Sequence, residues 1–152
     1  MRTNFRVTAL ATGLMLFFSL AAQQTQRSLP KVVSASVPFY PILAPGARIQ
    51  GVVTLRVSTD GKSVSAIDAE SGPPMLVQAA KENVRTWRFE PHAPATFGVK
   101  FRYRLLDYKC DSDCRCKSQP EPSVLLHLPS HVEVTSVIPM ICDPAEQTPR
   151  KK

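Results

Sequence analysis

The residues best suited to chemistry lie in one short run. Cys110, Asp111, Asp113, Cys114 and Cys116 stand close together, with His127 and His131 downstream. Sulfur, imidazole nitrogen and carboxylate oxygen are the ligand types of a zinc site. The spacing, however, is not that of two C-x-x-C pairs, and the fourth cysteine, Cys142, stands apart. Whether these sulfurs are thiolates or disulfides depends on the compartment, because an oxidised sulfur cannot act as a thiolate ligand.

Other enzyme chemistry has less to work with. There is no GxSxG elbow, no HExxH and no phosphate-cradling Gly loop, and the chain has only six glycines. The carboxylates show no pairing suited to general acid and base work. His92, set between Pro91 and Ala93, has no nucleophile beside it, His127 lies in an apolar run, and His131 falls in a turn. A ribonuclease-like set of two His and a Lys exists by residue type alone, with no spacing that assembles it. The chain is therefore read as non-enzymatic, with no cofactor and no bound metal.

The N-terminus settles the compartment. Arg2 and Arg6 precede an apolar stretch, residues 7–20, closed by the small-residue pattern Ser19-Leu20-Ala21. That is the layout of a secretory signal over residues 1–22. The stretch includes Thr8, Thr12, Gly13 and Ser19 and falls short of the roughly 20 apolar residues of a spanning helix. Cleavage and a periplasmic product are favoured over an inner-membrane anchor facing the periplasm. No cysteine follows the apolar run for lipid attachment. In an oxidising compartment Cys110, Cys114, Cys116 and Cys142 favour disulfides over metal. Three pairings are open, and the one joining Cys114 to Cys116 is disfavoured because a single intervening residue strains the bridge. At least one bridge is then expected to reach Cys142. Closure of the loop from Cys110 to Cys142 would contribute roughly 3.5 kcal/mol.

Composition fits one modest exported domain. The chain has 152 residues, 43% hydrophobic and 20% charged, enough for one modest domain with appendages. Fourteen Pro against six Gly, with 7% aromatic residues, fits a loop-rich globular chain better than a coiled coil, a helical bundle or a disordered tail. Without Arg2 and Arg6 the formal charge falls from +7 to +5, with 17 basic residues against 12 acidic. So mild an excess does not indicate a nucleic-acid partner.

The elements that position these residues follow from periodicity. Residues 23–36 are polar and read as a flexible linker reaching at most about 50 Å. In residues 49–58, Val53, Leu55 and Val57 alternate with Thr54, Arg56 and Ser58, the period of a half-buried strand. Asp60-Gly61 marks a tight turn into a second strand over residues 63–70. After Ser71-Gly72-Pro73-Pro74, a helix carries Leu76, Ala80, Val84 and Trp87 at helical spacing. In residues 97–105, Phe97, Val99, Phe101, Tyr103 and Leu105 alternate with Gly98, Lys100, Arg102 and Arg104. Three cations on one side read first as a solvated face. The functional alternative is a face that guards an exposed sheet edge or meets an acidic peptide. Residues 124–128 and 132–138 suggest a further hairpin, within a disulfide-tied β extension over residues 107–152.

The order Tyr40-Pro41, Arg48-Ile49-Gln50-Gly51, Asp60-Gly61, Ser71-Gly72 and Trp87-Arg88-Phe89-Glu90-Pro91 resembles the C-terminal domain of the TonB energy-transducer family. The resemblance covers residues 36–106. It implies an α+β fold: a three-stranded antiparallel sheet with helices on one face, here spanning residues 37–106 and followed by the Cys-containing β extension. In that family the domain captures a short segment of an outer-membrane receptor, the sheet's last strand lending its edge by β-augmentation. By position the lending strand here supplies Val99, Lys100, Phe101, Arg102, Tyr103 and Arg104. The resemblance also implies that residues 42–48, with Leu43 and Arg48, lie beside the receptor peptide, that Trp87 and Phe89 are core residues, and that Arg88 and Glu90 fix the helix end to its neighbouring loop.

Three features depart from the family pattern. Pro45-Gly46 interrupts a segment that is a short helix in the family. The long Pro-rich spacer of full transducers is not found here, and the Cys-bearing tail is additional. The expected partner is a TonB-dependent outer-membrane receptor peptide or another envelope protein, bound by edge-strand pairing in support of transmembrane transport. The alternative is a free periplasmic scaffold without energy transduction. An inner-membrane partner complex and a homodimer are left open.

Overall fold

The computed structural model describes residues 28–111, 115–116 and 118–140, so the signal-like segment, Cys114 and Cys142 lie outside it. In chain order the elements are β1 (Val32–Ser34), α1 (Leu43–Gly46), β2 (Gly51–Thr59), β3 (Val64–Ser71), α2 (Pro74–Arg85), β4 (Arg88–Phe89), β5 (Ala95–Leu106), β6 (Ser123–His127) and β7 (His131–Val137). Five strands form one sheet in the order β3-β2-β5-β7-β6, and β1 pairs with β4 in a separate two-stranded ribbon. The α+β fold and its three antiparallel strands, β3-β2-β5, are as the family resemblance implies. The extension adds β7, parallel to β5, and then β6, antiparallel to β7.

Alternation turns into burial wherever a helix covers the sheet. Val53, Leu55 and Val57 of β2 and Val99, Phe101 and Tyr103 of β5 are buried on one face. Above them α2 buries Leu76, Ala79, Ala80 and Val84. Pro74 opens α2 in its first turn, where a missing N–H costs no helical bond. Trp87 follows the helix and is fully buried, stacked against Phe101 at 6.3 Å. Its Nε1–H donates to Asn83 Oδ1 at 3.0 Å, and Asn83 Nδ2 donates to the Ser36 carbonyl at 2.7 Å. The buried amide is thus satisfied on both sides and ties the N-terminal segment to α2.

The hairpin joining β2 to β3 depends on local chemistry. Asp60 Oδ1 accepts the backbone N–H groups of Lys62 and Ser63 at 2.9 and 2.8 Å. These bonds, led by that from Ser63, pull the Asp60 carboxyl down to about 2. Gly61 has φ +106°, and a Cβ there would stand 2.2 Å from the His92 carbonyl oxygen, so no other residue fits.

Two expectations are corrected by the backbone. The supposed linker is partly structured, since Val32 and Ser34 pair with Phe89 and Arg88 and the Lys31 ammonium meets Glu90 at 2.6 Å. A three-residue strand is too short to show a period, so it was hidden in the polar composition. The other concerns Pro45-Gly46, which does not interrupt the short helix: α1 includes both. Pro45 occupies the third helical position, where its N–H would have no intrahelical acceptor.

Candidate partner-binding edge

Strand β5 offers two faces and two edges. Val99, Phe101 and Tyr103 point into the core, at 0, 0 and 1% exposure, so their side chains are unavailable to a partner. Lys100, Arg102 and Arg104 are exposed on the opposite, helix-free face. Arg104 Nη1 lies 3.1 Å from Glu133 Oε1, whereas Lys100 and Arg102 have no ion-pair partner among the described residues. One edge of β5 is taken by β2 along its length, from Gly51 opposite Tyr103 to Thr59 opposite Ala95.

The other edge differs from the expectation of an exposed one. From Lys100 to Leu106 it is filled by β7, with seven register pairs running in parallel from Lys100–His131 to Leu106–Val137. The ends are closed by Lys100 N–H donating to the Ser130 carbonyl at 2.9 Å and Ile138 N–H to that of Leu106 at 3.1 Å. The physical reason is in β7 itself. Val132 and Val134 fall on the core face, opposite Phe101 and Tyr103, and are 0 and 2% exposed. Glu133 falls on the cationic face, opposite Arg102 and beside Arg104. Burial, charge and backbone bonding favour the same register.

Leu43 and Arg48 stand on the segment that leads into β2. Both are exposed, Leu43 at 73%. Tyr40 fastens this segment to β5: its ring meets Tyr103 edge-on at 5.3 Å, and its hydroxyl donates to the Ile49 carbonyl at 2.8 Å. Burial pushes the Tyr40 hydroxyl up to about 12 and that of Tyr103 higher still. The Tyr103 hydroxyl is buried without a hydrogen-bond partner among the described residues. Arg48 also has a backbone role. It adopts φ +54° just after α1, where its N–H bonds the Pro45 carbonyl and that of Ile49 bonds Ala44. This is the Schellman ending of a helix, a position that usually takes Gly.

At the helix end Arg88 Nη1 donates to the carbonyls of Arg85 and Trp87 at 3.3 and 3.0 Å, inside the turn that ends α2 rather than across to a neighbouring loop. Glu90 reaches Lys31 of the N-terminal segment.

In the cysteine run, Cys110 is bridged to Cys116. The bridge removes two sulfurs from any thiolate set and replaces the considered closure from Cys110 to Cys142, while the bridge expected to reach Cys142 lies outside the described residues. The turn it ties is also held by Asp111 N–H donating to the Arg115 carbonyl and by Arg115 N–H donating to Asp111 Oδ1, at 3.0 and 2.7 Å. His127 and His131 face each other as the last register pair of the β6–β7 hairpin. His92 is engaged by Ala93, Thr59 and Phe89.

The antiparallel order β3-β2-β5 with α2 across its face, the Tyr40–Tyr103 contact and the Trp87–Phe101 stack fall in residues 36–105, but for the last residue of β5. A protein-family model described as the Gram-negative bacterial TonB protein C-terminal matches that same segment. Residues 36–105 form a TonB-family C-terminal domain. Domains of this family are interaction domains of the cell envelope that engage outer-membrane receptors. The match ends within β5, so β6 and β7 lie outside it. A comparison with curated proteins finds no match to the chain. No helix among the described residues is long and apolar enough to cross a membrane.

Sequence reading did not find the pairing partner of β5. Alternation in residues 132–138 marks β7 as a strand, but which strand it joins is set by the path of residues 107–122. Glu133, a lone acid between Val132 and Val134, was the available signal, because it complements the cation row.

Proposed function

We propose that this exported TonB-type protein captures an extended segment of an outer-membrane receptor, or of another envelope protein, by strand pairing at β5 in support of TonB-dependent transport. The observation that carries this reading is that β5 accepts an added parallel strand over seven register pairs. Such an edge supplies affinity through backbone hydrogen bonds, and Lys100, Arg102 and Arg104 supply selectivity for acidic segments. Leu43 and Arg48, held near the Tyr103 end of the strand through Tyr40, extend the contact surface. The protein works in the periplasm after loss of residues 1–22.

A second reading, an envelope scaffold without energy transduction, is favoured by one finding. Val32–Ser34 is tied to β4, which shortens the linker available to a chain held at its N-terminal segment.

Photocrosslinking groups placed singly at Lys100, Arg102 and Arg104 of the full exported chain test the site. Crosslinks to an extended segment of an outer-membrane receptor are expected. Crosslinks formed only from control positions on α2 and β3, such as Gln78 and Asp68, would place the partner elsewhere. Crosslinks from the β5 positions to envelope proteins other than receptors would favour the scaffold.

A further inference from the structure

The strand that fills the β5 edge comes from outside the family-matched segment. It belongs to a hairpin with few other attachments. Among the described residues β6 pairs only with β7, and all five of its residues are exposed. Val132 and Val134 are the hairpin strands' only buried residues. The connection from β5, residues 107–122, carries the Cys110–Cys116 bridge within itself rather than to the sheet. Parallel pairing is slightly weaker per residue than antiparallel pairing. The hairpin can therefore leave as a unit while β3, β2, β5 and α2 retain their mutual contacts.

We infer that the β6–β7 hairpin is an internal occupant of the docking edge, competing with the partner, and that β7 displays the partner's chemistry. This rests on the reading that β5 is the capture strand. The partner segment runs parallel to β5. It places β-branched apolar side chains where Val132 and Val134 sit and a carboxylate where Glu133 meets Arg102 and Arg104. Tethering holds the hairpin at an effective concentration on the order of millimolar. An outside segment of equal intrinsic affinity then displaces it by half only near that concentration, whereas weakening the hairpin lowers the requirement in proportion.

The test uses the full chain and a free peptide with the sequence of residues 131–137, with binding read by anisotropy and hairpin release by amide hydrogen exchange. Glu133→Lys weakens the hairpin from the exposed face without touching the core, and Val134→Ala weakens it from the core side. Each is expected to bind the peptide at least about tenfold more tightly than the wild type, with faster exchange in β7. Leu106→Cys/Val137→Cys, at a register pair, locks the hairpin when oxidised. The locked form is expected to lose binding and the reduced form to regain it, with the wild type under the same reductant as control. Binding that is equal in locked and reduced forms, or equal in wild type and weakened variants, overturns the internal occupant. If the hairpin is released by exchange and the bared β5 still binds no peptide, the capture reading itself falls and the inference with it.

Discussion

The two halves of the sheet obey the same period but meet different fates. In β2 and β5 every core-facing residue from Val53 to Val57 and from Phe97 to Tyr103 is buried, with α2 packed over β3 and β2. In β6, Val124 and Leu126 share a face with the buried Val134 and Val132 opposite them, yet they are 37 and 42% exposed. Alternation therefore makes a strand, but only a covering element makes a core. The helix-covered half holds most of the core, and the hairpin half adds Val132 and Val134 to it from β7 alone.

The largest expected effect sharpens this contrast. Trp87→Ala removes the fully buried indole, its stack on Phe101 and its bond to Asn83. It is expected to cost about 3–5 kcal/mol in urea denaturation. Leu125→Ala on β6, at 54% exposure, should stay within about 0.5 kcal/mol. Comparable losses at the two sites would erase the distinction between halves.

Val132→Ala comes next, at about 2 kcal/mol for two buried carbons and the void they leave. Its signature is spatial. Amide exchange should quicken in β6 and β7 and remain slow in β2; uniform acceleration would mean that the sheet unfolds as one unit.

Legibility followed the same divide. β2, β3, β5 and α2 could be read to within a residue or two because each is long enough to show its period and ends in turn chemistry such as Asp60-Gly61 or Pro73-Pro74. β1 and β4, of three and two residues, carry no period and exist through their pairing. α1 looked broken by Pro45 because the proline's position within the first turn depends on where the helix starts. Of the site residues, the inward set of Val99, Phe101 and Tyr103 and the outward set of Lys100, Arg102 and Arg104 followed from alternation. The occupancy of their edge did not, because a parallel register between strands separated by a long connection leaves no local trace.

A smaller effect concerns acid. Because the Asp60 carboxyl is held at about 2, below its ordinary 3.8, its contribution is present above about pH 4 and lost as pH falls toward 2. Protection of the Lys62 and Ser63 amides, corrected for intrinsic exchange, should fall across that window, while β7, which pairs on the far edge of β5, keeps its protection. An Asp60→Asn variant should flatten the response. If β7 opened in the same window, the two halves would be coupled through the turn.

Arg48 gives the smallest effect on stability. In the αL position after α1, a non-Gly residue is strained, while Gly adds freedom to the unfolded chain. Arg48→Gly should therefore leave the denaturation midpoint unchanged or raise stability by up to about 1 kcal/mol. Retained folding makes the variant a clean probe of the side chain, which is exposed and belongs to the segment that Tyr40 fastens to Tyr103. If Arg48 meets the captured segment, the variant loses affinity with its fold intact. If affinity is unchanged, Arg48 serves only the helix ending, and recognition rests on β5 and its cations.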